Sequence, residues 1–338
     1  MSHTYMLWGL FAVLVTTCLA VDLGLGSRRV GRMPVRTAAV WTAIWVSLAG
    51  VFAGLIYLFP PHGWAGRDAA ILFVTGFLVE KALSVDNMFV FIMVFSYFAV
   101  KDEDQPRVLK WGIIGALLFR GALISAGWVL IARFEWVLYI FALLLLWAVY
   151  KMVTAEDEQI EPEKNPVLLL ARRVFPIANR YEGHHFFTRE GGKLVGTALL
   201  VVLIVIESTD VVFALDSIPA IFAITKDFFI VFTSNVFAIL GLRALFFVLS
   251  GIMGLFRFLK LGVAAILLFI AAKMLLKEVA FVHERITPPV SLAVIGAILV
   301  VAVVASVLIK EREDEKKEQA PASPDGTPPS PAPVSDRR

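Results

Sequence analysis

Cysteine is all but absent. The chain carries one, Cys18, inside an apolar run, which excludes an internal disulfide and any thiolate cage for a metal. It reads as a small residue within a helix. Charge is nearly as scarce: Asp, Glu, Lys and Arg make up 17% of 338 residues, hydrophobic residues 59%, and the mean hydropathy is +0.81. That excludes an ordinary soluble domain and implies a polytopic protein whose solvent is the lipid bilayer. A formal net charge of +3 without a basic stripe excludes nucleic acid as a partner. No nucleophile elbow, phosphate-binding loop or dinucleotide fingerprint occurs, so nothing points to an enzyme or to a tightly bound cofactor.

What the chain does have is long apolar runs. Nine reach span length: about 5–25, 38–59, 69–99, 108–131, 134–153, 194–215, 228–250, 258–280 and 288–309. The first has no base before it, while Arg28, Arg29, Arg32 and Arg36 follow it, the charge order of an uncleaved helix with its N-terminus outside. Counting on, the basic links at 26–37 and 154–193 fall on the cytoplasmic side, as does the C-terminus; a bacterial inner membrane is the expected location. In the second of these links, His184 and His185 read as incidental surface residues. From 310 the chain is charged and then rich in Pro and Ser, composition that predicts a disordered cytoplasmic tail over 310–338.

The chain also resembles itself. A shift of 124 residues lays Ser84, Asp86, Phe89, Phe98 and Ala99 on Ser208, Asp210, Phe213, Phe222 and Ala223; Arg120 then meets Arg243 and Lys151 meets Lys273 with slight slippage. Each copy comprises three helices, so the copies enter the membrane from opposite sides. The predicted fold is therefore all-α, with two N-terminal spans (1–60), one repeat over 68–153, the link 154–193, a second repeat over 194–280, and a last span in 281–309. A rival register pairs Glu80 and Asp86 with Asp210 and Asp216 but needs a longer gap before the arginines, so the first is preferred. The run 69–99 would be roughly 46 Å long as a helix against about 30 Å of hydrocarbon, and is expected to tilt or to break near Ser84 to Asn87. Pro219 is expected to end or kink its helix, freeing carbonyls at that depth.

The charges inside these runs are the candidate site. A carboxylate at the centre of a membrane helix costs about 2.5–3.5 kcal/mol on insertion scales, so those retained face the interior and mark an ion or proton site. Glu80, Asp86, Asn87, Glu207, Asp210 and Asp216 are the predicted metal ligands, with Asp22, Ser84, Ser208, Thr209 and Ser217 in support. Lys81, Arg120, Arg243 and Lys273 are the expected charge partners, and Asn235 an inter-helix hydrogen bonder. Glu207 and Asp210 share a helix face, whereas Glu80 and Asp86 share one only if the helix deforms. Six acids against four bases leave a deficit of two negative charges, which one divalent cation would neutralise. Donors that are all oxygen suit Mg²⁺, Ca²⁺ or Mn²⁺.

These residues carry a resemblance. Glu80-Lys81 with Ser84, Asp86 and Asn87, then Glu207-Ser-Thr-Asp210 through Asp216-Ser-Ile-Pro219, then Thr233-Ser-Asn235 through Arg243, and the early Asp22, are similar to the TerC family of integral membrane proteins, named for tellurium resistance, over about residues 5–309. Nine helices fit its Alx-type bacterial branch. The resemblance implies a place among the LysE-type exporters and manganese efflux, with Mn²⁺ as transported ion, protons as a plausible counter-ion, and Glu80, Asp86, Glu207, Asp210 and Asp216 as the acidic motif. A second reading stays open: a membrane scaffold, or an insertion or stress-response factor that binds partner proteins.

Overall fold

The computed structural model describes residues 2–28, 33–134, 136–154, 166–174, 176–178, 181–190, 192–251, 259–276 and 286–318. Apolar sequence without water to satisfy the backbone must close its own hydrogen bonds, and the chain does so as helices. Eleven are present among the described residues: α1 (Ser2–Arg28), α2 (Val35–Leu58), α3 (Gly66–Tyr97), α4 (Gln105–Arg133), α5 (Val137–Thr154), α6 (Pro166–Val174), α7 (Ala198–Ile224), α8 (Phe228–Ile239), α9 (Leu242–Gly251), α10 (Leu259–Leu275) and α11 (Pro288–Glu318). A hairpin, β1 (Phe187–Glu190) and β2 (Lys193–Gly196), pairs antiparallel ahead of α7. It was not foreseen: β1 falls in the 154–193 link, and β2 takes the first residues of the expected 194–215 run.

The links between helices sort onto two ends. At one, the His62 amide donates to Thr4 Oγ1 (3.0 Å), Trp64 Nε1 to Asp227 Oδ2 (2.9 Å) and Trp128 Nε1 to the Lys226 carbonyl (3.2 Å). At the other, Arg107 Nη1 donates to the His184 carbonyl (2.6 Å) and the Tyr181 hydroxyl to the Phe98 carbonyl (2.5 Å). Inside, α3 packs on α8, α7 on α4, α5 on α10, and α3 crosses α7. α2 covers α3 and α9; α11 covers α3 and α10. Large apolar side chains such as Leu118, Trp147 and Val301 point outward, as lipid contact allows.

Several expectations change. Six helices are long and apolar enough to span, or seven if the bent pair α8–α9 counts as one, so the nine-span reading is not confirmed. α3 falls outside that set because Glu80, Lys81 and Asp86 crowd its middle. α10 does so because its 17 residues reach only about 25 Å. α3 does not break near Ser84; it runs unbroken for 32 residues. Nor does α7 end at Pro219, which lies inside it and is buried. The break falls where it was not expected, in the 228–250 run. There Gly241 takes φ +78° and α8 and α9 meet at 46°. An L-residue rarely adopts that backbone conformation, so glycine sets the place. α11 continues to Glu318, past the expected start of the tail; the rest of the tail, 319–338, lies outside the described residues, as do Arg29, Arg32 and Arg180.

Two apolar belts position the site. On α3, Leu72, Phe73 and Phe77 join an aromatic cluster with Phe52, Phe229 and Phe237, while Met88, Phe91 and Phe95 join a second cluster with Ile113, Val202 and Phe246. The charged stretch of α3 lies between them. Arg120 and Asp210 likewise sit near the middle of α4 and α7, flanked by apolar turns.

Candidate cation site

Helical spacing puts Glu80, Ser84 and Asn87 on one face of α3, and Asp210 and Ser217 on one face of α7. Both faces meet Arg120 of α4, which is 1% exposed. Arg120 Nε donates to Asp210 Oδ2 (3.1 Å) and Nη2 to Asp210 Oδ1 (3.0 Å), the fork that a guanidinium and a carboxylate form together. Nη1 ion-pairs with Glu80 Oε1 and donates to Ser217 Oγ (3.4 Å). Asn87, with its amide turned to satisfy both ends, donates to the Leu83 carbonyl (3.0 Å) and accepts from Arg120 Nη2 (3.3 Å). Every N–H of the guanidinium thus has an oxygen to meet. Asn235 of α8 closes the cluster, its Nδ2 donating to Glu80 Oε2 (2.9 Å). Two buried oxygens beside these groups, Ser84 Oγ and Asn235 Oδ1, have no hydrogen-bond partner among the described residues.

The other predicted residues lie elsewhere. Because α3 is unbroken, Asp86 is turned about 120° from Glu80. The charge of Lys260, at the start of α10, acts on Asp86. Asp216 is turned from Asp210 in the same way, with Lys151 of α5 acting on it. The structure therefore gathers Glu80 with Asp210, not Asp86 with Asp210. Glu207 packs on Gly115 of α4, where a Cβ would overlap its carboxylate, and its Oε2 has no partner among the described residues. Ser208 and Thr209 hydrogen-bond back to the Val205 carbonyl of their own helix (2.9 and 2.7 Å). Arg243 Nη1 donates to the Asp22 carbonyl (2.9 Å), and its charge acts on the Asp22 carboxylate. Lys273 donates to Ser291 Oγ (2.8 Å). Lys81 donates to the Ala238 and Leu240 carbonyls (3.1 and 3.4 Å), so the carbonyls freed at the chain break are taken by a lysine.

Two contributors escaped the sequence reading. Gly115 gives no local signal, because its role is to leave room for a side chain of another helix. Lys260 was visible as a base at a span start, but the carboxylate its charge acts on, Asp86, lies on α3.

A second cluster lies at the end of the molecule marked by Phe98. His184 Nδ1 meets Asp104 Oδ1 (2.6 Å), and ligand atoms of Glu103, Asp104 and His184 all fall within 4.8 Å of one another. Burial pushes the Asp104 carboxyl above its usual range, while Arg107 and Lys101 pull it down. His184 is therefore more than an incidental surface residue: with the Tyr181 and Arg107 bonds it ties the segment before α7 to the α3–α4 turn.

Comparison with known proteins bears on this arrangement. The sequence profile described as the integral membrane protein TerC family matches residues 65–314. Alx of Escherichia coli (strain K12), provisionally named a membrane-bound redox modulator, is 44% identical over 318 residues, 93% of this chain and 98% of that protein. The membrane protein STKORF319 of Myxococcus xanthus is 44% identical over 307 residues, 90% and 93% of the two chains. A membrane protein of Rickettsia bellii is 36% identical over 313 residues, 92% of this chain and all of that one. No solved structure matches the chain.

Proposed function

The chain belongs to the TerC family of integral membrane proteins, and from that premise we propose that it is a secondary transporter that exports a divalent cation, Mn²⁺ first among them. One observation carries the reading. Two carboxylates, Glu80 and Asp210, both buried, converge with amide and hydroxyl oxygens at the middle of three helices, between apolar belts. Buried charge at that depth is kept for function. Glu80, Asp210, Asn87, Ser217 and Ser84 are the proposed oxygen ligands. Asp86, Glu207 and Asp216, on other faces, are the proposed approach and proton-exchange groups.

Two repeats, α3–α5 and α7–α10 with the bent pair α8–α9 counted as one span, are the proposed moving parts. The packing supports them: α3 meets α8 as α7 meets α4, while α3 on α7 and α5 on α10 are self-matching pairs. Glu80 and Asn87 stand opposite Asp210 and Ser217, which favours the register that was the less preferred from sequence. The basic link after α1 supports an outside N-terminus, which puts the Phe98–His184 end in the cytoplasm of a bacterial inner membrane. A redox role, as the relatives' name suggests, has little to work with inside one chain, because Cys18 is its only thiol.

The test is Mn²⁺ efflux from everted vesicles or loaded cells, with Ca²⁺ and Mg²⁺ as competitors. A Glu80→Gln, Asp210→Asn double variant should lose efflux at least tenfold. Efflux unchanged in that variant refutes the assigned ligands. Purified protein that moves no divalent ion in liposomes, yet co-purifies with a membrane partner, supports the scaffold reading instead.

A further inference from the structure

We propose that Arg120 is a tethered surrogate for the transported cation: it holds the oxygen set and competes with the divalent ion for it. This rests on the transport reading above. The guanidinium takes both oxygens of Asp210, Glu80 Oε1, Ser217 Oγ and the Asn87 amide oxygen. These are the atoms that a hard divalent ion would need. Ion and guanidinium cannot hold them together.

Charge gives the competition its sign. Glu80 and Asp210 carry two negative charges, which one divalent ion balances. With Arg120 in contact the same pair carries one negative charge, and an ion joining all three would leave a net positive charge in a water-excluded interior. Arginine keeps its proton throughout, so Arg120 withdraws from the oxygens without a proton step of its own. Its return then expels the ion, which keeps affinity moderate and turnover possible. Ser84 Oγ and Asn235 Oδ1, buried beside this cluster and without a hydrogen-bond partner among the described residues, complete an all-oxygen set once the guanidinium has left.

Full-length protein in detergent is titrated with Mn²⁺ alone, and the same preparations are tested for Mn²⁺ transport in liposomes. Arg120→Gln should bind Mn²⁺ at least tenfold tighter than the wild type and should transport at least tenfold more slowly. Its melting temperature should rise with Mn²⁺ more than the wild type's does, a response that loss of a structural ion pair would not produce. Where the Gln variant does not fold, Arg120→Lys, which keeps a charge but loses the fork, should bind Mn²⁺ severalfold tighter. Wild-type protein that transports Mn²⁺ beside folded variants that bind it no tighter overturns the Arg120 assignment alone. Wild-type protein that neither binds nor moves Mn²⁺ overturns the transport reading, and this inference with it.

Discussion

Arg120 and Arg243 are counterparts in the sequence and opposites in the structure. Each lies in the second helical run of its three-helix unit. Arg120 stands in an unbroken 29-residue helix and spends its guanidinium on two carboxylates. Arg243 stands two residues beyond the Gly241 break; its Nη1 reaches a main-chain carbonyl and its buried Nε has no partner among the described residues. The difference is made by the break. A helix that stops and restarts turns its second half away, and it exposes carbonyls that need donors. Lys81, next in sequence to Glu80, supplies one. Within a single turn of α3, one charge builds the site and its neighbour holds the bend.

The largest test of this contrast is to remove each arginine in turn. Arg120→Gln strands two buried carboxylates and should cost about 3–5 kcal/mol of metal-free stability. Arg243→Gln removes a charged donor from a carbonyl and should cost about 1.5–3 kcal/mol. Thermal melting in detergent decides between them; equal losses would dissolve the contrast. A smaller effect tests the break itself. Gly241→Ala forces an L-residue into left-handed backbone, costing about 1–2 kcal/mol, and sets its Cβ against Trp45. No loss of melting temperature there would mean that glycine does not pin the bend. The smallest effect has the opposite sign. α3 ends with the Ala99 amide donating to Ser96 and the Val100 amide to Phe95, and Ala99 takes φ +49°. This is the helix end that glycine favours. Ala99→Gly should therefore raise stability by about 1 kcal/mol.

Much of the site was legible because charge is rare in apolar sequence. Glu80, Asp210, Asn87, Ser217 and Arg120 were all picked out as letters that need a reason to be there. Their grouping was less legible. Asp86 and Asp210 align best by sliding the chain on itself, yet Glu80 is the acid that shares Arg120 with Asp210. Six residues, less than two helical turns, separate those answers, and self-comparison does not resolve them. Pro219 pointed to a break because proline removes a donor, but buried packing around α7 holds the helix through it. Gly241 carried the real break and looked like any glycine among apolar neighbours.

By itself, the sequence determined that this chain lives in a membrane, belongs to the TerC family and carries mid-helix carboxylates at a cost that demands compensation. It also determined which residues could share a face, since the 3.6-residue turn does that wherever a helix is continuous. Only the tertiary structure decided where continuity holds and which face turns to Arg120. Those outcomes depend on what packs against each helix, and the packing partners, Gly115 beside Glu207 and Asn235 beside Glu80, come from distant parts of the chain.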